Sequence, residues 1–154
     1  MADCRSCPAG SDETFGPLEA SIYERHVREN ASAILSGVGH GLRRIRVVDK
    51  SDLADRLDDA LDEGRITQDE RDSAALADVV ATALDRESGK TVYVVAEASM
   101  TLRTADVARA RSKASTVARA LGIEALPVVV YQTGSADVDT DEVEVVSYRP
   151  RMAR

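Results

Sequence analysis

Two apolar stretches, Ala77-Asp78-Val79-Val80 and Val92-Tyr93-Val94-Val95-Ala96-Glu97-Ala98-Ser99, constrain this chain more than anything else in it. Both are rich in Val or Tyr and bounded by turn-forming residues, so both read as buried β-strands. Each also carries one carboxylate at its end. A charge in an apolar strand is costly unless something pairs with it, and a metal ion is one such partner.

Arg86-Glu87-Ser88-Gly89 lies between the two strands and reads as a hairpin loop. Asp85 then faces Lys90, and counting along the ladder sets Asp78 opposite Glu97. Directly opposed residues share a face, with Cβ atoms roughly 4.5–5.5 Å apart. Two carboxylates that close repel unless a cation sits between them or one is protonated. Mg²⁺ takes such oxygen pairs and leaves its other positions to water and phosphate. A slip of one residue would send the two acids to opposite faces.

Helical spacing organises the chain around this hairpin. Residues 1–16 are polar, with Gly, Pro, Ser and Asp, and read as a flexible N-terminal segment; a single domain is expected over 17–150. Pro17 suits a first helical turn, and Leu18, Ile22, Val27, Ala31 and Ile34 keep roughly to one face, which predicts a helix over Pro17–Leu35. Glu24 flanks that apolar face and reads as a rim residue or a polar-site ligand. Gly37-Val38-Gly39-His40-Gly41 follows a helix rather than a strand, so it reads as an ordinary loop and not as a phosphate cradle. A short basic strand from Arg44 to Val48 comes next. A helix is predicted over Ser51–Glu63, with an acidic outer face, and a capping box at Thr67-Gln68-Asp69-Glu70 opens another. After the hairpin, Val107, Ala110, Ala114, Val117 and Leu121 predict a helix from about Thr104 that Gly122 ends. Arg111 and Lys113 flank its apolar face. Leu126–Tyr131 suits a central strand and Val143–Tyr148 an edge strand.

Charge and composition narrow the function. A formal net charge of −7 argues against a dedicated duplex-coating protein but leaves room for a local basic patch. Aromatics at 3% leave little for extended base stacking. The abundance of Arg over Lys, with much Ala, Asp and Val, suggests a bacterial genome rich in G and C. No apolar run approaches the roughly 20 residues of a membrane span. No leader pattern opens the chain, so a cytoplasmic protein without a membrane partner is expected. Cys4 and Cys7 lack the second pair a zinc ribbon needs and the βαβ context of a redox motif, and read as incidental thiols. His26 and His40 sit in no recognisable nucleophile setting.

The run Ala77-Asp78-Val79-Val80, then Val92–Ser99, then Asp106-Val107-Ala108-Arg109-Ala110-Arg111, then Leu126-Pro127-Val128-Val129-Val130 resembles the PD-(D/E)XK nuclease-like superfamily. It looks closest to a branch of uncharacterised bacterial proteins with a Glu-x-Ser second half-motif. The likeness covers residues 18–131 in element order and is sharp over 76–130. It implies an α/β, restriction-endonuclease-like mixed sheet flanked by helices, here with a small helical insertion. It also implies Mg²⁺ or Mn²⁺ as cofactor and DNA as partner. Carried over by position, Asp78 matches the first metal-binding acid, Glu97 the second, and Glu24 the extra metal-binding Glu in the first helix. Ser99 stands where the motif has Lys. Some members supply that cation from the next helix, which makes Arg111 and Lys113 the candidates.

The resulting expectation is a Mg²⁺-dependent nuclease-like phosphodiesterase acting on DNA. The alternative is a catalytically inactive domain of the same fold serving as a binding or dimerisation module. A homo-oligomer, a dimer in the first instance, is expected because an apolar sheet edge gains from being covered.

Overall fold

Ten elements build the domain in a computed structural model, which describes residues 16–39, 41–134 and 137–151. Cys4, Cys7, His40 and nearly all of the N-terminal segment lie outside the described residues. Five strands form one mixed sheet in chain order: β1 (Leu42–Val47), β2 (Val79–Asp85), β3 (Thr91–Thr101), β4 (Ala125–Thr133) and β5 (Glu144–Ser147). The first three neighbours run antiparallel, whereas β4 lies parallel to β3 and β5 parallel to β4. The architecture is thus α/β, a mixed sheet flanked by helices on both faces.

Alternation along the strands decides which face meets which helices. Val94 and Ala96 of β3 and Val128 and Val130 of β4 pack with Tyr23, Val27 and Leu35 from α1 (Pro17–Glu29) and α2 (Ala31–Leu35). The other face of β2 and β3, with Val80, Tyr93 and Val95, packs with Leu53 and Leu57 of α3 (Lys50–Asp62), Ala74 of α4 (Gln68–Ala75) and Val117 of α5 (Thr104–Leu121). A smaller cluster joins Val107 and Ala110 of α5 to Val129 of β4. Helices α3 and α4 form the insertion, between β1 and β2. No helix among the described residues is long and apolar enough to cross a membrane.

Local chemistry sets the element ends. The Thr67 hydroxyl accepts from the Glu70 N–H while the Glu70 carboxylate accepts from the Thr67 N–H, so the capping box forms as expected. Gly122 ends α5 at φ +69°, a left-handed conformation costly for any residue with a Cβ. The helix expected over Pro17–Leu35 is instead two. Asn30 leaves helical geometry at φ −112°, ψ 18°, and its side-chain amide donates to the His26 carbonyl. An Asn that bonds the backbone locally competes with the helical ladder, a break that apolar periodicity does not report.

The sheet edges differ in kind. β1 exposes Arg43, Arg44 and Arg46 and carries an irregularity between Arg43 and Arg46, with Arg44 at φ +54°. Charge and a bulge both discourage strand addition. β5 is the other edge, within the segment Val143–Tyr148 that the sequence assigns to an edge strand. The Tyr23 hydroxyl donates to the Tyr148 carbonyl at 2.9 Å, tying the segment after β5 to α1.

Candidate functional site

The hairpin register is the foundation of the site. Val79 pairs with Ala96, Val80 with Val95 and Leu84 with Thr91, which carries Asp78 opposite Glu97 on the α5-facing side of the sheet. The main chain and these two side chains interlock: Asp78 N–H donates to Glu97 Oε2 at 3.2 Å, and Ala98 N–H donates to Asp78 Oδ2 at 2.8 Å. Glu97 is buried at 4% exposure, whereas Asp78 is half-buried. Burial first, and the facing Glu97 carboxylate second, push the Asp78 carboxyl up to about 6, with the Ala98 N–H pulling the other way.

Lys113 answers the charge on Glu97. Its Nζ lies 2.9 Å from Glu97 Oε1, and Lys113 itself is only 7% exposed. Arg109, one turn earlier on α5, brings its Nε to 3.7 Å from the same oxygen. The two cations proposed from the sequence therefore part company. Arg111 points to an exposed position and donates to the Asp141 carbonyl at 2.6 Å, away from the acidic pair. Arg111→Ala is accordingly expected to shift stability by under about 0.5 kcal/mol in a denaturant titration.

Ser99, two residues past Glu97 on the same face, is occupied elsewhere. Its hydroxyl lies 2.6 Å from the Thr101 carbonyl and 2.9 Å from Asp106 Oδ2, and donates to one of them at a time. Asp106 is buried, accepts from the Arg103 N–H at 2.8 Å and contacts the Arg109 guanidinium. Position 99 thus steadies the start of α5, while the cation beside Glu97 comes from further along the same helix.

Glu24 is exposed on α1, lines the same cavity as Asp78, and adds a smaller like-charge push to the Asp78 carboxyl than Glu97 does. Among the described residues, no three His, Cys, Asp or Glu side chains are grouped closely enough to hold a metal ion. An all-protein cage is therefore not what these residues offer. Mg²⁺ is commonly held by one or two carboxylates, with water and substrate phosphate completing its shell. The Asp78–Glu97 pair is a donor set of that kind, with Lys113 already answering part of its charge.

Three cations escaped sequence reasoning. Arg28 Nη1 donates to the Asp78 carbonyl at 3.0 Å, and Lys50 Nζ donates to the Ala77 carbonyl at 2.9 Å. With Ser21, Glu24 and Arg25 they line a cavity of about 230 Å³ that opens onto Asp78. Part of this was visible: Ser21, Glu24, Arg25 and Arg28 are spaced as one polar stripe of a helix. Lys50 was not, because it arrives from the inserted helix. A second cavity, of about 380 Å³, lies at the far end of β3 beside Ser99, Arg103 and Arg109.

No protein-family model, curated protein or solved structure matches this chain.

Proposed function

We propose that this protein is a Mg²⁺-dependent phosphodiesterase of the nuclease kind, acting on DNA within a restriction-endonuclease-like fold. The observation that carries the reading is Lys113, whose ammonium meets Glu97 at 2.9 Å on the face where Asp78 and Glu97 oppose each other. Two carboxylates and one ammonium thus converge at the open end of the hairpin, away from its loop, although the motif position itself holds Ser99. The element order supports the same reading: a helix, three antiparallel neighbours, a helix, and a strand parallel to the third, with α3 and α4 as the insertion.

Asp78 and Glu97 are the residues that would hold Mg²⁺ or Mn²⁺, with Glu24 at the rim. When bound, such an ion supplies Lewis-acid stabilisation and a more acidic water. Lys113 holds positive charge beside the pair, where it stabilises negative charge developing on a phosphoryl oxygen. Its buried contact with Glu97 fixes where that charge sits.

A second reading is a catalytically silent domain of this fold, used for binding or dimerisation. One observation favours it: both Glu97 oxygens already have protein partners, the Asp78 N–H and Lys113. The decisive experiment incubates the protein with plasmid and single-stranded DNA in Mg²⁺, Mn²⁺ or EDTA. The nuclease reading expects cleavage in either metal, none in EDTA, and none by Glu97→Gln. Absence of cleavage by the wild type in both metals hands the protein to the second reading.

A further inference from the structure

We propose that Arg25, Arg28 and Lys50 form a phosphate-binding station beside Asp78, which takes the DNA backbone phosphodiester next to the one cleaved. The inference deepens the proposed function and rests on it for the identity of the strand.

Arg28 and Lys50 converge on consecutive backbone carbonyls, those of Asp78 and Ala77, from two different helices. Both acceptors are neutral, so neither cation loses its charge to a carboxylate. A guanidinium has five N–H donors and an ammonium three, and one of each is spent here. The carbonyl bonds fix where the two heads sit and leave the remaining donors for the cavity they line. Arg25, on the same helical stripe, makes no hydrogen bond or ion pair among the described residues. Held cations with donors to spare, beside a third that has no partner among the described residues, make a receptor for a tetrahedral oxyanion.

The acidic groups on the same cavity are Glu24 and Asp78, and Ser21 adds a hydroxyl. Three cations against two carboxylates leave the lining positive in a chain whose formal net charge is −7. That local excess is what binding a polyanion requires, because phosphate contacts supply most of the sequence-independent affinity for DNA. The cavity borders Asp78, so a phosphate bound in it would sit beside one member of the Asp78–Glu97 pair. Adjacent phosphates of one strand can then occupy the cavity and the carboxylate pair. The ligand is thus a phosphodiester, and a free phosphate ion shares its chemistry.

The test measures anisotropy of a fluorescein-labelled single-stranded oligothymidylate in EDTA, so that cleavage and metal binding are both silent. The wild type is compared with Arg28→Gln/Lys50→Gln, Arg25→Gln and the remote control Lys90→Gln. The proposal expects binding to weaken at least about tenfold in the double variant, with the slope of log affinity against log salt falling by about one for each phosphate no longer neutralised. Arg25→Gln, which sacrifices no internal bond and so cannot misfold for that reason, is expected to weaken binding about threefold or more. Lys90→Gln is expected to match the wild type. Competition by inorganic phosphate at concentrations where thymidine is inert supports the station, and displacement by a dinucleotide at lower concentration than phosphate identifies the diester. Unchanged binding in both Arg25→Gln and a folded double variant overturns the proposal, as does equal binding of an oligonucleotide with an uncharged methylphosphonate backbone. The two readings fail separately. Metal-dependent cleavage with wild-type KM in these variants removes the station and leaves the nuclease, whereas variant-sensitive binding without cleavage leaves the station and removes the nuclease.

Discussion

Lys113→Ala is expected to destabilise the protein by about 3–5 kcal/mol, the usual cost of removing one partner from a buried ion pair. Lys113 and Glu97 are 7% and 4% exposed, so the carboxylate left behind has little water to turn to. Arg109 can soften the loss, since its Nε already lies 3.7 Å from Glu97 Oε1. The effect should therefore lie toward the lower end of that range, and Arg109→Ala added to Lys113→Ala should move it toward the upper end. At about 2–4 °C per kcal/mol for a domain of this size, a loss of 3 kcal/mol lowers Tm by roughly 6–12 °C. The matched control is Glu97→Gln/Lys113→Met, which removes both charges at similar volume. It should recover most of the lost stability, because pairs replaced together cost little. Cleavage should not return with stability. A double variant that folds well and still cuts DNA would show that the buried pair is scaffolding.

Much of the placement of these groups is legible in the sequence. A loop of fixed length between two strands determines the ladder, and the ladder determines that Asp78 meets Glu97. Pattern and capping chemistry likewise locate α3, α4 and α5 to within a residue or two, because the signals are local: a Thr-x-x-Glu box, an apolar stripe, a terminal Gly. What is not legible depends on distance in the chain or on a single side-chain rotation. Arg111 and Lys113 both flank the apolar stripe of α5, and periodicity alone cannot say which one faces β3. The packing of α5 on the sheet selects Lys113 and sends Arg111 to the Asp141 carbonyl. Lys50 lies 27 positions from Ala77 and reaches its carbonyl only because α3 folds back over the strand start. The break at Asn30 turns on a side-chain hydrogen bond to the backbone that an apolar count ignores. Ser99 is the clearest case. The sequence marks it as a departure from a motif, whereas its bonding with Asp106 and Thr101 explains what the position does instead.

Asp78→Asn is expected to make the protein more stable at neutral pH while removing its response to metal. The Asp78 carboxyl stands at about 6 in the fold, above the value of 3.8 for a free aspartate. Between those two values the folded state binds more protons than the unfolded one, so stability falls as pH rises through that window and is level above it. At 1.36 kcal/mol per pH unit the full cost approaches about 3 kcal/mol, and the half-buried position of the side chain reduces it to about 2. An asparagine carries no charge to desolvate and none to repel Glu97, and its amide oxygen still accepts the Ala98 N–H. Wild type and variant should therefore match near pH 4, and the variant should lead by about 2 kcal/mol at pH 7 in EDTA. Mn²⁺ should reverse the order. An ion held by the paired carboxylates stabilises the native state by about 2.7 kcal/mol at a hundred times its Kd, and the Asp78→Asn variant forfeits one of the two ligands. Urea titrations at pH 4 and pH 7, each with and without Mn²⁺, read both effects. A purely structural carboxylate pair gives the pH-dependent lead without the reversal, because a ligand that does not bind the native state cannot stabilise it. The reversal, accompanied by loss of cleavage in the variant, separates a metal centre from a buried acid that the fold merely tolerates.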